Sequence, residues 1–159
     1  MLVSKATLPH GCTNGFARRP RFEVKESVEL KHKGHHGELG FFLPNGCKDK
    51  DIITKYIGYE ISWRQYRLLV ALGIGDCVLE VGGHLINGLF DDEGGALINA
   101  SYGGKSRPNA RFCKKAVKGI SVQGLKRLEV TVRATRPINP GSEVLMAYGE
   151  GFWRVHKIK

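Results

Sequence analysis

The sequence predicts a mainly β domain made of several small curved sheets with few helices. Three observations point there. Glycine supplies 21 of the 159 residues, which suits many turns and close backbone approaches better than a helical bundle. Short β-branched and aromatic runs recur between Gly, Pro and Asn turn signals. Only one stretch carries a helical period, and no alternation of strands with helices marks a parallel α/β sheet.

The elements follow in order. Residues 1–20 lack periodicity and read as a flexible basic arm. Phe22, Val24, Val28 and Leu30 alternate loosely with charges, which predicts an edge strand over 21–30. Lys31 to Gly37 (KHKGHHG) reads as a polar loop. Its histidines His32, His35 and His36 have no matching acid or cysteine nearby, so no metal site is expected. Leu39 to Leu43 is a short apolar strand closed by the turn Pro44-Asn45-Gly46, and Ile52 to Ile61 is a β-branched and aromatic strand. Ser62 is a candidate N-cap, with Trp63, Tyr66, Leu69 and Val70 at near-helical spacing up to Gly73. Cys77 to Val81 reads as a strand, followed by the acidic loop Asp91, Asp92 and Glu93. A long polar segment then runs from Asn99 to Asn109. Lys118 to Val122 and Leu125 to Ala134 pair across Gln123-Gly124 as a hairpin, with Leu128, Val130, Val132 and Ala134 on its buried face. The closing run INPGSEVLMAYGEGFW has a Pro140-Gly141 turn, a short apolar strand and a terminal Tyr148. That tyrosine either caps a core or holds its hydroxyl at the rim of a pocket.

Composition bounds the function. A chain of this length with 42% hydrophobic and 25% charged residues is an ordinary soluble domain, large enough to need no disulfides. No apolar run approaches the roughly 20 residues that span a bilayer. The opening MLVSKATLPHGC has no apolar stretch behind a basic head, so no secretory leader is expected. Cys12, Cys47, Cys77 and Cys113 are far apart and form no C-x-x-C pair, which argues for free thiols in an intracellular, reducing compartment. The net charge of +10 favours polyanions such as DNA, RNA or nucleosomes, or else keeps a solvated surface soluble. Dinucleotide, P-loop and G-x-S-x-G signatures are all missing.

Four segments, in order, resemble the SET-domain protein lysine methyltransferases. HGELGFF (36–42) resembles the family's opening glycine loop and strand. KYIGYEIS (55–62) is similar to its tyrosine-glycine-acid segment before a helix. LINASYGGKSRPNARF (97–112) resembles its Asn-His segment followed by Pro-Asn, and RATRPINPGSEVLMAYG (133–149) its last strand, glycine-acid turn and final tyrosine. The matches span 37–153, so 21–153 reads as one SET-like catalytic domain and 154–159 as a basic tail. The resemblance implies small sheets around a knot-like crossing, where the Asn99 segment passes beneath a loop near the C-terminus.

It also implies a reaction: methyl transfer from S-adenosylmethionine to a protein lysine, with S-adenosylhomocysteine as product and no metal. A histone tail or nucleosome is the implied substrate, with non-specific DNA contact through the basic surface, no membrane, and a nuclear location. Tyr148 and Tyr56 are the implied catalytic residues, Tyr148 aligning the reacting groups and Tyr56 nearer the lysine channel. Glu38, Leu39 and Gly40 would meet the cofactor through their backbone, the glycine permitting close approach. Asn99 would hold the methionine portion by its amide and Ala100 the adenine through main-chain groups. Trp153 or Phe152 would cover the adenine or close the channel, or else serve as core aromatics. Met146 and Tyr59 fall at channel positions, and a flexible methionine there leaves the number of methyls open. Asp91, Asp92, Glu93 and Glu60 are candidates for an acidic groove that receives a basic tail.

Departures from the family pattern are Ala100 where it has histidine, Ala96-Leu97 for Arg-Phe, Glu38 for the first glycine, and Tyr59 for the acid. They keep two alternatives in view: a SET-like binding module with weakened catalysis, and a basic nucleic-acid-binding β domain.

Overall fold

The computed structural model describes residues 21–32, 37–89, 91, 93–101, 106–113, 118–122 and 124–147. In chain order the elements are β1 (Glu23–Glu26), α1 (Val28–His32), β2 (Leu39–Leu43), β3 (Ile52–Ile61), α2 (Trp63–Ala71), β4 (Val78–Val81) and β5 (His84–Asn87). They continue with β6 (Asn99–Ala100), β7 (Ala110–Phe112), β8 (Lys118–Val122), β9 (Leu125–Ala134), β10 (Ser142–Glu143) and β11 (Leu145–Met146). The mainly β expectation holds. The expected arm 1–20 and tail 154–159 lie outside the described residues.

The ten-residue strands β3 and β9 pair antiparallel from Ile52↔Arg133 to Tyr59↔Arg127 and form the spine of an eight-stranded sheet. The other edge of β9 is shared: its first half takes β8 in a hairpin with Val122 opposite Leu125, and its last residues take β7. The alternation read from the sequence is the observed one, with Leu128, Val130, Val132 and Ala134 all at most 2% exposed. β5 joins the free edge of β3 and carries β4. A second, three-stranded sheet runs β1-β2-β10. Between the two sheets lies a core of Phe41, Leu43, Ile53, Ile98, Val132, Ile138, Val144 and Met146 with their neighbours. A smaller cluster of Tyr56, Val81, Ile86, Leu128 and Val130 continues it under β4 and β5.

Two expectations are corrected at the start of the chain. The edge strand ends at Glu26, and Val28 to His32 form a short helix, so Lys31 and His32 do not belong to a loop. Helix α2 forms where Ser62 predicted it. Ser62 accepts from the Gln65 amide while the Gln65 side chain accepts from the Ser62 amide, a reciprocal cap. None of its residues is buried, and Trp63 is 55% exposed, so its apolar spacing forms a helix without supplying core.

Near the C-terminus the chain changes sheet. β10 pairs with β2 in the small sheet, and two residues later β11 runs parallel to both β6 and β7 in the large one. Val144, fully buried, is the switch point, and its amide donates to the Phe41 carbonyl. The last described strand therefore lies between the two limbs of the segment that begins at Asn99. Asn109 clamps the switch: its amide nitrogen donates to the Glu143 carbonyl at 2.9 Å and its oxygen accepts from the Leu145 amide at 2.8 Å. Unpaired, those buried backbone groups would each cost about 1–3 kcal/mol.

Candidate functional site at the sheet junction

The turn at Pro140-Gly141 sets Glu143 opposite Phe42, so its side chain reaches diagonally along β2 to Gly40 on the same face. A Cβ at Gly40 would stand 2.4 Å from Glu143 Oε1 and 3.2 Å from Ser27 Cβ. The close approach that demands glycine here is thus made by the carboxylate.

That carboxylate is 9% exposed as a residue and collects four donors. Oε1 accepts from Ser27 Oγ at 2.6 Å and from Asn99 Nδ2 at 3.2 Å, and Oε2 from the Val28 and Glu29 amides at 2.9 and 3.1 Å. The two amides open helix α1, and Ser27 Oγ also accepts from the Leu30 amide at 3.1 Å. A five-residue helix is too short to hold itself in water. It forms because Ser27 and a distant carboxylate satisfy its free amides.

Asn99 ties this network to the glycine strand. Its second Nδ2 hydrogen goes to the Leu39 carbonyl at 2.9 Å, at the protein surface. Both partners are acceptors, so the nitrogen must face them and the amide oxygen turns the other way. Among the described residues no donor reaches that Oδ1. Asn99 therefore presents an acceptor beside Leu39.

The sequence-named residues divide into two groups. Leu39, Gly40, Asn99, Ala100 and Met146 come together: Asn99 bonds Leu39, and β11 aligns Leu145 with Asn99 and Met146 with Ala100. Leu39 is half exposed, Ala100 is buried, and Met146, at 1% exposure, belongs to the main core. Glu38 is exposed, and its carbonyl accepts from the Ser27 amide at 2.7 Å.

Tyr56 and Tyr59 lie apart on β3. Tyr56 is buried in the smaller cluster, edge-on to Phe112, and its hydroxyl donates to the Cys77 carbonyl at 2.5 Å. Tyr59, 38% exposed, sits between Asn87 and Arg127. A close contact links the β3 side to the junction. The turn Gly95–Leu97 presses so closely on Lys55 and Tyr56 that a Cβ at Gly95 would stand 2.4 Å from the Lys55 carbonyl oxygen. Tyr148, Phe152 and Trp153 lie outside the described residues. The described chain ends at exposed Ala147, directly beyond β11.

Of the acidic residues named for a groove, Asp91 and Glu60 are engaged internally. Asp91 accepts from the Glu93 and Ala96 amides at 3.0 and 2.8 Å. Glu60 pairs with His84 at 2.5 Å and Lys126 at 2.8 Å. The Lys126 and His84 hydrogen bonds hold its carboxyl below the ordinary range. Asp92 lies outside the described residues. Cys47, Cys77 and Cys113 are free, and burial pushes the Cys47 and Cys77 thiols up, away from the thiolate a nucleophile needs.

Sequence reasoning missed Ser27, Asn109 and the role of Glu143. A serine before Val-Glu-Leu-Lys is an N-cap signal, but Glu143 lies 116 residues from Ser27, beyond any local pattern.

No family model matches the chain, and neither does any curated protein. Among solved structures, a candidate histone methyltransferase of Plasmodium falciparum matches with a TM-score of 0.56 and 24% identity, over 86% of this chain and 99% of that one. That likeness establishes a shared fold.

Proposed function

We propose that the chain is an S-adenosylmethionine-dependent protein methyltransferase of the SET type, acting on a lysine of a histone or nucleosome and so in the nucleus. The ordered sequence resemblance and the fold shared with the Plasmodium protein support the reading. The single observation that carries it is the orientation of Asn99. With both amide hydrogens engaged by Leu39 and Glu143, its remaining polar atom is an acceptor suited to an ammonium group, which the methionine portion of the cofactor carries.

The cofactor, when bound, supplies a methyl on a sulfonium sulfur, which passes to a neutral amine as the carbon–sulfur bond breaks. This chain's task is alignment and exclusion of water. Leu39 and Gly40 would offer backbone groups, Asn99 the acceptor and Ala100 its main chain. Tyr148, the second residue beyond β11, would place its hydroxyl beside the acceptor lysine. That lysine must lose its proton before attack, and a dry channel lowers its affinity for the proton.

Labelled methyl transfer to histones and nucleosomes tests the proposal. Transfer by the natural chain, reduced at least tenfold by Tyr148→Phe, is the expected result. Cofactor binding with no transfer to any protein would favour the second reading, a binding module, for which Ala100 and Glu38 speak.

A further inference from the structure

The turn of β9 brings together cations that no ion pair among the described residues neutralises. Arg111 and Arg133 are direct partners across β7 and β9. Their neighbours Ala110, Val132 and Ala134 are buried, so both arginines stand on the outer face of the sheet. Like charges directly opposite each other weaken a sheet. Arg133 donates from Nη1 to the Lys50 carbonyl at 3.0 Å, and Arg136 from Nη2 to the Arg107 carbonyl at 2.8 Å. The Lys50 amide in turn bonds the Ala134 carbonyl, and Lys48 lies in the same turn. Lys48, Lys50, Arg107, Arg111, Arg133 and Arg136 thus form one surface. The acids of its 48–51 turn are Asp49 and Asp51, and the Asp51 side chain accepts from the Lys48 amide at 2.9 Å.

We propose that this surface docks on the phosphate backbone of duplex DNA. Two of its guanidinium groups are fixed by backbone carbonyls, so their remaining N–H donors are held in place for phosphate oxygens. The exposed aromatic side chains among the described residues, Tyr59 and Trp63, stand at the far end of β3 and on α2, away from these cations. Without a ring to stack unpaired bases, the surface favours a duplex over a single strand. Contacts of this kind carry no sequence preference and weaken with salt. The docking does not depend on methyl transfer, so its failure would leave the proposed reaction untouched.

The test is fluorescence anisotropy of the full chain with a short random-sequence duplex, titrated between about 50 and 200 mM salt. Arg111→Glu is expected to weaken binding about tenfold and to lower the salt slope by about one. The same variant should raise the melting temperature, because it replaces a like-charge pair with an ion pair; a residue with a merely structural role would lower it. Arg136→Ala, at an exposed position, decides the matter should Arg111→Glu fail to fold, with the same fall in slope expected. Arg64→Glu with Arg67→Glu on α2 is the control and should bind nearly as the natural chain does. Unchanged affinity and slope in the patch variants would overturn the proposal, as would an equal loss in the control. So would tighter binding to single-stranded RNA than to the duplex.

Discussion

The sheet junction and helix α2 are held in opposite ways. At the junction, four donors from two distant segments, residues 27–29 and 99, meet on the one buried carboxylate of Glu143. Helix α2 is held by its own neighbours, Ser62 and Gln65 at one end and Gly75 against Val70 at the other, and it buries none of its residues. Long-range ties make the junction rigid enough to present a fixed acceptor. Local ties leave α2 dependent on its cap. Of the two regions, the one with the more tightly fixed geometry is the junction around Gly40, Asn99 and Glu143.

Removing Glu143 should have the largest effect, because it dismantles the junction while leaving α2 intact. Glu143→Ala leaves Ser27, two amides of α1 and Asn99 without their acceptor, and we expect a loss of about 3 kcal/mol or more in urea unfolding. Glu143→Gln keeps an acceptor and should lose less. A loss under about 1 kcal/mol for the alanine variant would mean the carboxylate is not what joins the segments.

Ser62→Ala should sharpen the contrast. Loss of an N-cap costs about 1 kcal/mol, and it should appear as faster amide exchange confined to α2, with Asn99 and its neighbours unchanged. Faster exchange at both places would show that the helix and junction are one cooperative unit.

The smallest effect concerns Glu60. Its carboxyl is held below the ordinary value of 4.5, first by Lys126 and then by His84. A depressed carboxyl adds stability above its unfolded value and loses it as pH falls through the folded one. The denaturation midpoint should therefore fall a little more steeply below about pH 4.5 than in Glu60→Gln. Identical profiles would show that the pair with Lys126 and His84 adds nothing measurable, as is common for ion pairs open to water.

How much was legible in the sequence follows from the same division. β2, β3, β9, the 118–134 hairpin and α2 are long or locally capped, so alternation, turn residues and the Ser62 cap reveal them. α1 was hidden because Val28 and Leu30 mimic strand alternation, and its stabilising carboxylate is remote in sequence. β5 was missed behind the Gly82-Gly83 turn. β6 and β10 are two residues each and exist only through their partners, so no period can mark them, whereas β11, equally short, falls in the apolar run Val144 to Met146 that reads as a strand. Leu39, Gly40 and Asn99 were named through family resemblance alone. The reason they meet, Glu143, became visible only with the fold. Tyr56, which the resemblance set nearer the lysine channel, donates its hydroxyl to the Cys77 carbonyl within a core cluster, a contact that only the fold reveals.

Asn99, oriented by Glu143 and Leu39, would complete a site for the ammonium of S-adenosylmethionine and its product. Calorimetric titration with S-adenosylhomocysteine, on the natural chain and on Asn99→Ala, tests it directly. We expect saturable binding by the natural chain and at least a tenfold weaker affinity in a variant that still melts cooperatively. No binding by the natural chain, or equal affinity in both, would contradict the account.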